Sequence, residues 1–267
     1  MNQKIALGLV LWTGFAPAYA ADKFDIPGDE HVMTRYSEAT QTVLPSEFNV
    51  LVWNLHKGGD DGWSEDFSKF ANSAQLLLTQ EATSDSRVLG EFTSSPLQYE
   101  MATSFYTEDD VRTGVATGSV VRADSVRWAR SKHREPIVQT PKMTVFTTYP
   151  MADGRELLVV NIHVILANLN LVASMNAQLA VITKVLESHT GPVLVGGDFN
   201  TWFSGRTNAL LMWAKKQNLK HVVFQEDSRN QVLDHIFYRD LKAVSGSVHD
   251  WVESSDHYPL EVKFTAN

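Results

Sequence analysis

Six places in this chain put an amide, a carboxylate or an imidazole where an apolar run begins or ends. FNVLVW (48–53) runs into Asn54, QLLLTQ (75–80) into Glu81, and ELLVVNIH (156–163) ends on His163. GPVLVG (191–196) leads to Asp198 and Asn200, QVLDHIFY (231–238) carries Asp234, and Asp256 and His257 stand just ahead of PLEVKF (259–264). Acidic oxygens with one or two amides suit a hard cation such as Mg²⁺, whereas zinc sites favour cysteine and histidine. Two histidines with carboxylate neighbours add groups that orient, donate or accept protons near neutral pH. Taken singly, each residue has an ordinary role: Asp and Asn form turns, a lone His163 satisfies itself in a core, and Asp234 finds one hydrogen-bond partner in a strand. The recurrence at strand ends is what matters, because layered α/β folds gather those ends on one edge, where ligands bind.

The elements that must position these groups are mostly strands. Besides the runs above, GVATGSVV (114–121) and MTVFTTY (143–149) read as strands, and ADGR (152–155) reads as a hairpin turn between two of them. Between Leu171 and Glu187, Val172, Met175, Leu179, Ile182 and Leu186 fall three or four apart, the stripe of an amphipathic helix, and a second helix is expected near 205–217. Interleaved helices with near-continuous apolar strands argue for sheets covered on at least one face, an α/β or α+β layered domain.

The 267 residues are enough for one sizeable core, and 43% hydrophobic with 20% charged residues is an ordinary globular composition. MNQKIALGLVLWTGFAPAYA (1–20) combines Lys4, a short apolar run and an Ala-Tyr-Ala site, so it reads as a cleaved signal peptide and implies a periplasmic or secreted protein. Residues 21–47 are polar with no clear period and read as a loosely packed lead-in; 48–267 is the expected domain. There is no cysteine, which excludes disulfides and thiol chemistry. The net charge is −8, and loss of Lys4 would take it to −9, so contact with a polyanion must be local.

NLHKG (54–58), QE (80–81), TGVATGS (113–119), NIH (161–163), GDFN (197–200), LDHI (233–236) and SDH (255–257), in this order, resemble the motifs of the endonuclease/exonuclease/phosphatase superfamily. LVWNLHKG, REPI and VVNIH resemble a little-characterised bacterial branch of it. The resemblance implies a four-layer sandwich, two mixed β-sheets packed together with helices outside, and Mg²⁺-dependent phosphoester hydrolysis, with Mn²⁺ or Ca²⁺ as alternative ions. It further implies Asn54, Glu81 and Asp256 at the metal, Asp198 and Asn200 orienting water and phosphate, and His257 beside the scissile phosphate with Asp234 holding it. His163 matches a second histidine of the deoxyribonuclease and sphingomyelinase branches.

Substrate is less legible. The basic stretch VRADSVRWARSKHRE offers Arg127, Trp128, Arg130 and Arg134 as a phosphate-tracking groove with a stacking platform, and Lys57 and Arg112 are further phosphate candidates. On that basis nucleic acid is the expected partner ahead of lipid, for a monomer without an obligate protein partner. ILANLNL (165–171) is the nearest candidate for an apolar membrane hairpin. A phosphoinositide or sugar-phosphate phosphatase and a non-catalytic binding module are the other readings.

Overall fold

The computed structural model describes residues 24–166 and 172–266. The expected signal peptide and most of the ILANLNL segment lie outside the described residues. Strands β1 (Met33–Tyr36), β2 (Glu47–Asn54), β3 (Leu76–Thr83), β4 (Gln98–Tyr106) and β5 (Arg112–Ser119) come first, with helices α1 (Trp63–Ser73) and α2 (Ser86–Ser94) among them. β6 (Ser125–Arg130), β7 (Met143–Pro150), β8 (Glu156–His163), β9 (Val193–Asp198), β10 (Lys220–His221) and β11 (Asp234–Arg239) follow, with α3 (Ala173–Glu187) and α4 (Ser204–Lys216). β12 (Leu241–Val248) and β13 (Leu260–Ala266) close the chain. The strands form a seven-stranded sheet, β1-β4-β5-β3-β2-β13-β12, and a six-stranded sheet, β10-β11-β9-β8-β7-β6. Both are mixed, since β2 runs parallel to β3 and β8 parallel to β9 while their other neighbours are antiparallel.

Packing explains why the central strands are apolar throughout. On the outer face of the first sheet, Trp53 packs on Trp63, Phe67 and Phe70 of α1, whose i, i+4, i+7 spacing makes one buried stripe. Burying a ring such as Phe67 contributes about 2 kcal/mol. On its inner face, Val52 and Leu78 reach the backbone of Gly196 in β9, so closely that a Cβ there would stand 2.9 Å from Val52. The sheets are also pinned by a buried amide pair: Gln80 Nε2 donates to Asn161 Oδ1 at 2.7 Å, and Asn161 Nδ2 donates to the Ala116 carbonyl at 2.9 Å. Beyond the second sheet, Met175, Leu179, Ile182 and Leu186 of α3 and Leu210 and Ala214 of α4 cover the other side. The four layers are those implied by the motif resemblance.

The segment 21–47 departs from the loose lead-in expected of it. Its β1 pairs antiparallel with β4 at the sheet edge, and Val32 and Leu44 are fully buried. Its few apolar side chains are spaced too irregularly to show a period, yet Val32 and Leu44 are seated in the core while Val43 stays exposed.

Candidate active site

Strand register alone assembles half of the site. β8 and β9 are parallel and pair His163 with Asp198; β9 and β11 are antiparallel and pair Asp198 with Asp234. Three titratable groups thus stand on adjacent strands at one edge of the second sheet. In the first sheet, β2 ends at Asn54, which stands opposite Gln80 of β3. Glu81 would then point away from Asn54 were it not for a bulge between Gln80 and Ala82, where Glu81 takes a left-handed φ of 51°. Such a conformation costs about 1–3 kcal/mol and survives where surrounding structure imposes it. Asn200, with φ of 50°, is turned similarly just past β9.

These side chains meet in one cleft of about 420 Å³, lined by Asn54, Lys57, Glu81, His163, Asp198, Asn200, Asp256 and His257 together with Lys142 and Trp202. Asp198 is the hub. Its Oδ2 lies 3.2 Å from Asn54 Nδ2 and 3.2 Å from His163 Nε2, and its Oδ1 accepts from the Asn200 amide at 2.8 Å. Burial alone would raise the Asp198 carboxyl, but the His163 hydrogen bond and the charges of His163 and His257 hold it well below the usual carboxylate range. Asn200 is fixed in turn, donating from Nδ2 to the Val164 carbonyl at 2.8 Å and accepting at Oδ1 from Trp202 Nε1 at 2.9 Å.

Asp234 lies behind this wall and reaches the cleft through His257, whose Nδ1 is 2.7 Å from its Oδ2. Burial opposes the imidazolium, yet the facing carboxylates of Asp234, Asp198 and Asp256 raise His257 to about 10. Burial also pushes Asp234 up against the pull of His257; the short contact between them carries one proton, and the three carboxylates around His257 place it on Nδ1. His257 is anchored through its backbone as well: its carbonyl accepts from Trp53 Nε1 at 3.0 Å and its amide donates to Ser255 Oγ at 3.2 Å. Trp53 therefore ties the α1 core to the position of the imidazole. For Glu81, burial would raise the carboxyl, but His163, Lys142 and Lys57 together hold it below its ordinary value.

The other basic candidates stand apart from the cleft. Arg112, Arg127, Trp128, Arg130 and Arg134 do not line it. Arg112 donates to the His31 carbonyl at 3.1 Å and lies over the ring of Tyr106. Trp128 packs beside Met143 and Val145, and its ring is covered by Arg130, which donates to the Pro27 carbonyl at 2.7 Å. Arg127 projects outward from β6, and Arg134 donates to the Gln139 carbonyl. The cleft contains instead a residue that the reading of strand ends passed over. Lys142 Nζ sits 3.9 Å from Glu81 Oε1 and 3.7 Å from Glu135 Oε1. It precedes β7, which is antiparallel to β8, so a strand beginning there reaches the edge where β8 ends. The same logic applied to strand starts as well as strand ends would have found it.

The sequence profile of the Endonuclease/Exonuclease/phosphatase family matches residues 51–257. A protein of Vibrio campbellii designated UPF0294 is 31% identical over 287 residues, covering 100% of this chain and 99% of that one. Among solved structures, the human Nocturnin catalytic domain with bound sulfate anion superposes with a TM-score of 0.63 at 17% identity, over 85% of this chain and 97% of that one. An endonuclease/exonuclease/phosphatase from Beutenbergia cavernae gives 0.62 at 16% identity, over 83% and 72%. With its profile match running from β2 to His257 and the ordered strand-end residues gathered in one cleft, the chain belongs to the endonuclease/exonuclease/phosphatase family.

Proposed function

We propose that this chain is a divalent-metal-dependent phosphodiesterase, with Mg²⁺ the ion its donor set suits best. The observation that carries the reading is the Asp234–His257 pair at 2.7 Å, opening onto the cleft that Glu81 and Asp198 share. Asn54, Glu81 and Asp256 would hold the ion. They fit it: all offer hard oxygens, Glu81 is kept ionised by its cationic neighbours, and Asn54 Oδ1 accepts one bond, from the His56 amide at 3.1 Å, leaving a lone pair. Asp198, Asp234 and His257 also bring potential ligand atoms within 4.8 Å of one another. That trio reads as a proton-holding group, because His257 Nδ1 is committed to Asp234 and an imidazolium repels a cation. When bound, the metal would neutralise charge building up on the phosphoryl oxygens.

The chain's own residues would do the rest. His257, its Nδ1 proton held by Asp234, presents Nε2–H to a phosphoryl oxygen and stabilises the charge gathering there. Asp198 stays ionised and aligns a water by accepting its hydrogen bond, with Asn200 fixing the geometry. Lys57 and Lys142 place two further positive charges at the cleft for the phosphate. The water oxygen bonds to phosphorus, the bond from phosphorus to the leaving oxygen breaks, and the water proton ends on the leaving group. The sulfate in the Nocturnin structure shows a related fold accepting a tetrahedral anion, in keeping with this assignment.

Nucleic acid as the favoured substrate rested on Trp128 and its neighbouring arginines, and that motive weakens because Trp128 is half-buried with Arg130 lying over its ring, away from the cleft. The cleft lining also carries apolar side chains: Phe24 and Phe105 meet edge to face at 4.9 Å, and Val138, Leu166 and Trp202 line it too. The reading is tested on bis(4-nitrophenyl) phosphate, a soluble diester. Hydrolysis with Mg²⁺ that stops in EDTA is expected; no hydrolysis of this or any other phosphodiester by folded, metal-loaded protein would end it.

A further inference from the structure

Between β6 and β7 the chain forms a loop, SKHREPIVQTPK (131–142), whose tip is apolar and whose approach is basic. Ile137 is 84% exposed and Val138 43%; beside the loop, with its amide bonded to Glu135, Leu166 is 41% exposed, and Phe203, next in sequence to the cleft-lining Trp202, 51%. Val138 and Leu166 are the two of the ten exposed large hydrophobic residues, among the described residues, that line the cleft, and Ile137 and Phe203 each neighbour a lining residue in sequence. The tip is held out by structure beneath it. The Glu135 amide donates to the Thr140 carbonyl at 2.8 Å, the Gln139 amide donates back to Glu135, and Glu135 Oε1 accepts from the Leu166 amide at 3.2 Å. A compact turn that leaves an isoleucine in water forgoes burial that a small repacking would recover, which points to a surface that covers it.

The charge says which surface. Lys132, His133 and Arg134 are exposed, while the loop's one acid, Glu135, is buried and paired with Lys142. In a chain of net charge −8 this is a local cationic patch beside an apolar tip. That order suits a bilayer interface, with cations among anionic headgroups and apolar side chains reaching the acyl boundary. No helix among the described residues is long and apolar enough to cross a membrane, so contact through these helices would be peripheral.

We propose that the 131–142 loop, with Leu166 and Phe203, docks the cleft mouth onto an anionic phospholipid surface, so that the phosphodiester to be cleaved is that of a lipid headgroup. The substrate part rests on the phosphodiesterase reading above; the docking part does not. Val138 and Leu166 belong both to the apolar rim and to the cleft wall, so a lipid engaged at the rim has its phosphate at the cleft. Free nucleic acid would meet the basic residues but has no use for an exposed Ile137.

The test is co-sedimentation of the full chain with vesicles of phosphatidylcholine containing phosphatidylglycerol, against phosphatidylcholine alone, with bis(4-nitrophenyl) phosphate hydrolysis measured on the same preparations. Binding is expected to the anionic vesicles, weakening in high salt. Ile137→Asp should reduce it roughly tenfold, and Lys132→Glu at least about fivefold, consistent with the strength of one basic residue near such a surface. Both variants should hydrolyse the soluble ester at the wild-type rate. Hydrolysis of the soluble ester without vesicle binding, or binding indifferent to Ile137→Asp, overturns the docking and leaves the phosphodiesterase reading standing. Vesicle binding that the two variants abolish, without hydrolysis of lipid or soluble ester, supports docking and removes the catalytic part. Retention on single-stranded DNA that survives Ile137→Asp, with no vesicle binding, gives the patch to nucleic acid and overturns the proposal.

Discussion

Replacing Asp234 with Asn removes one negative charge from a contact of 2.7 Å while keeping an oxygen that can accept the His257 Nδ1 proton. His257 stands at about 10 because Asp234, helped by Asp198 and Asp256, outweighs burial. With Asp234 neutral, burial, the largest influence on His257, is opposed only by the two remaining carboxylates, so the imidazole value must fall. At pH 8 the wild type keeps nearly all of its imidazolium while the variant loses it, and the rate should drop by at least about tenfold if the charged form is the working one. The deficit should shrink steadily as pH is lowered, because the variant then regains the imidazolium that the wild type never lost. The raised value also supports folding: it contributes stability that is fully present below about 6.5 and is lost as pH rises towards about 10, so the wild type should lose more stability than the variant over that window. The assay is bis(4-nitrophenyl) phosphate hydrolysis across pH 5–10 with Mg²⁺, alongside circular dichroism to confirm folding. A variant whose rate falls by the same factor at every pH would refute the assignment of the charge on His257 to Asp234.

Three other outcomes follow from the same geometry. His257→Ala should remove most activity, about 10²–10⁴-fold, and adding Asp234→Asn to it should cost little more, since the two act as one unit; additive losses in a double-mutant cycle would separate them. Gly197→Ala should destabilise by about 2 kcal/mol or more in urea denaturation, because Gly197 has a φ of 144° and its Cβ would run into the Ile162 carbonyl; an unchanged midpoint would contradict the register there. His235 is pushed down to about 3 by burial and by His221 and Arg229, so stability should be intact above about 6.5 and fall by on the order of 5 kcal/mol as pH drops towards about 3; urea midpoints at pH 7 and 4 should show a smaller acid loss in His235→Gln than in wild type.

What the sequence made legible was the set of strand ends, because apolar runs that stop at Asn54, Glu81, His163 and Asp198 can be read without knowing how the sheets close. The pairing of His257 with Asp234 was inferable only through the motif resemblance, since their contact depends on β11 lying beside β9 and on β13 being in the other sheet. Glu81 reaches the cleft through a bulge, and nothing in QEAT announces one. α1 was readable in principle, as Trp63, Phe67 and Phe70 keep a helical spacing, whereas β12 is mostly exposed and polar and leaves no run to see. In the basic stretch around Trp128, composition alone does not separate a binding surface from a structural one: Arg130 fastens Pro27 and Asp29 to the edge strand, while Arg127 projects outward.

The account stands most directly on a titration of bis(4-nitrophenyl) phosphate hydrolysis with Mg²⁺ for wild type, Glu81→Gln and His257→Ala. The predicted result is a split: Glu81→Gln raises the Mg²⁺ concentration needed for half-maximal rate, because a cation ligand has changed, while His257→Ala lowers the saturated rate at a nearly unchanged Mg²⁺ midpoint. Hydrolysis that persists in EDTA, or two variants that shift the midpoint alike, would contradict the separation of this cleft into a metal-holding side at Glu81 and a proton-holding side at His257.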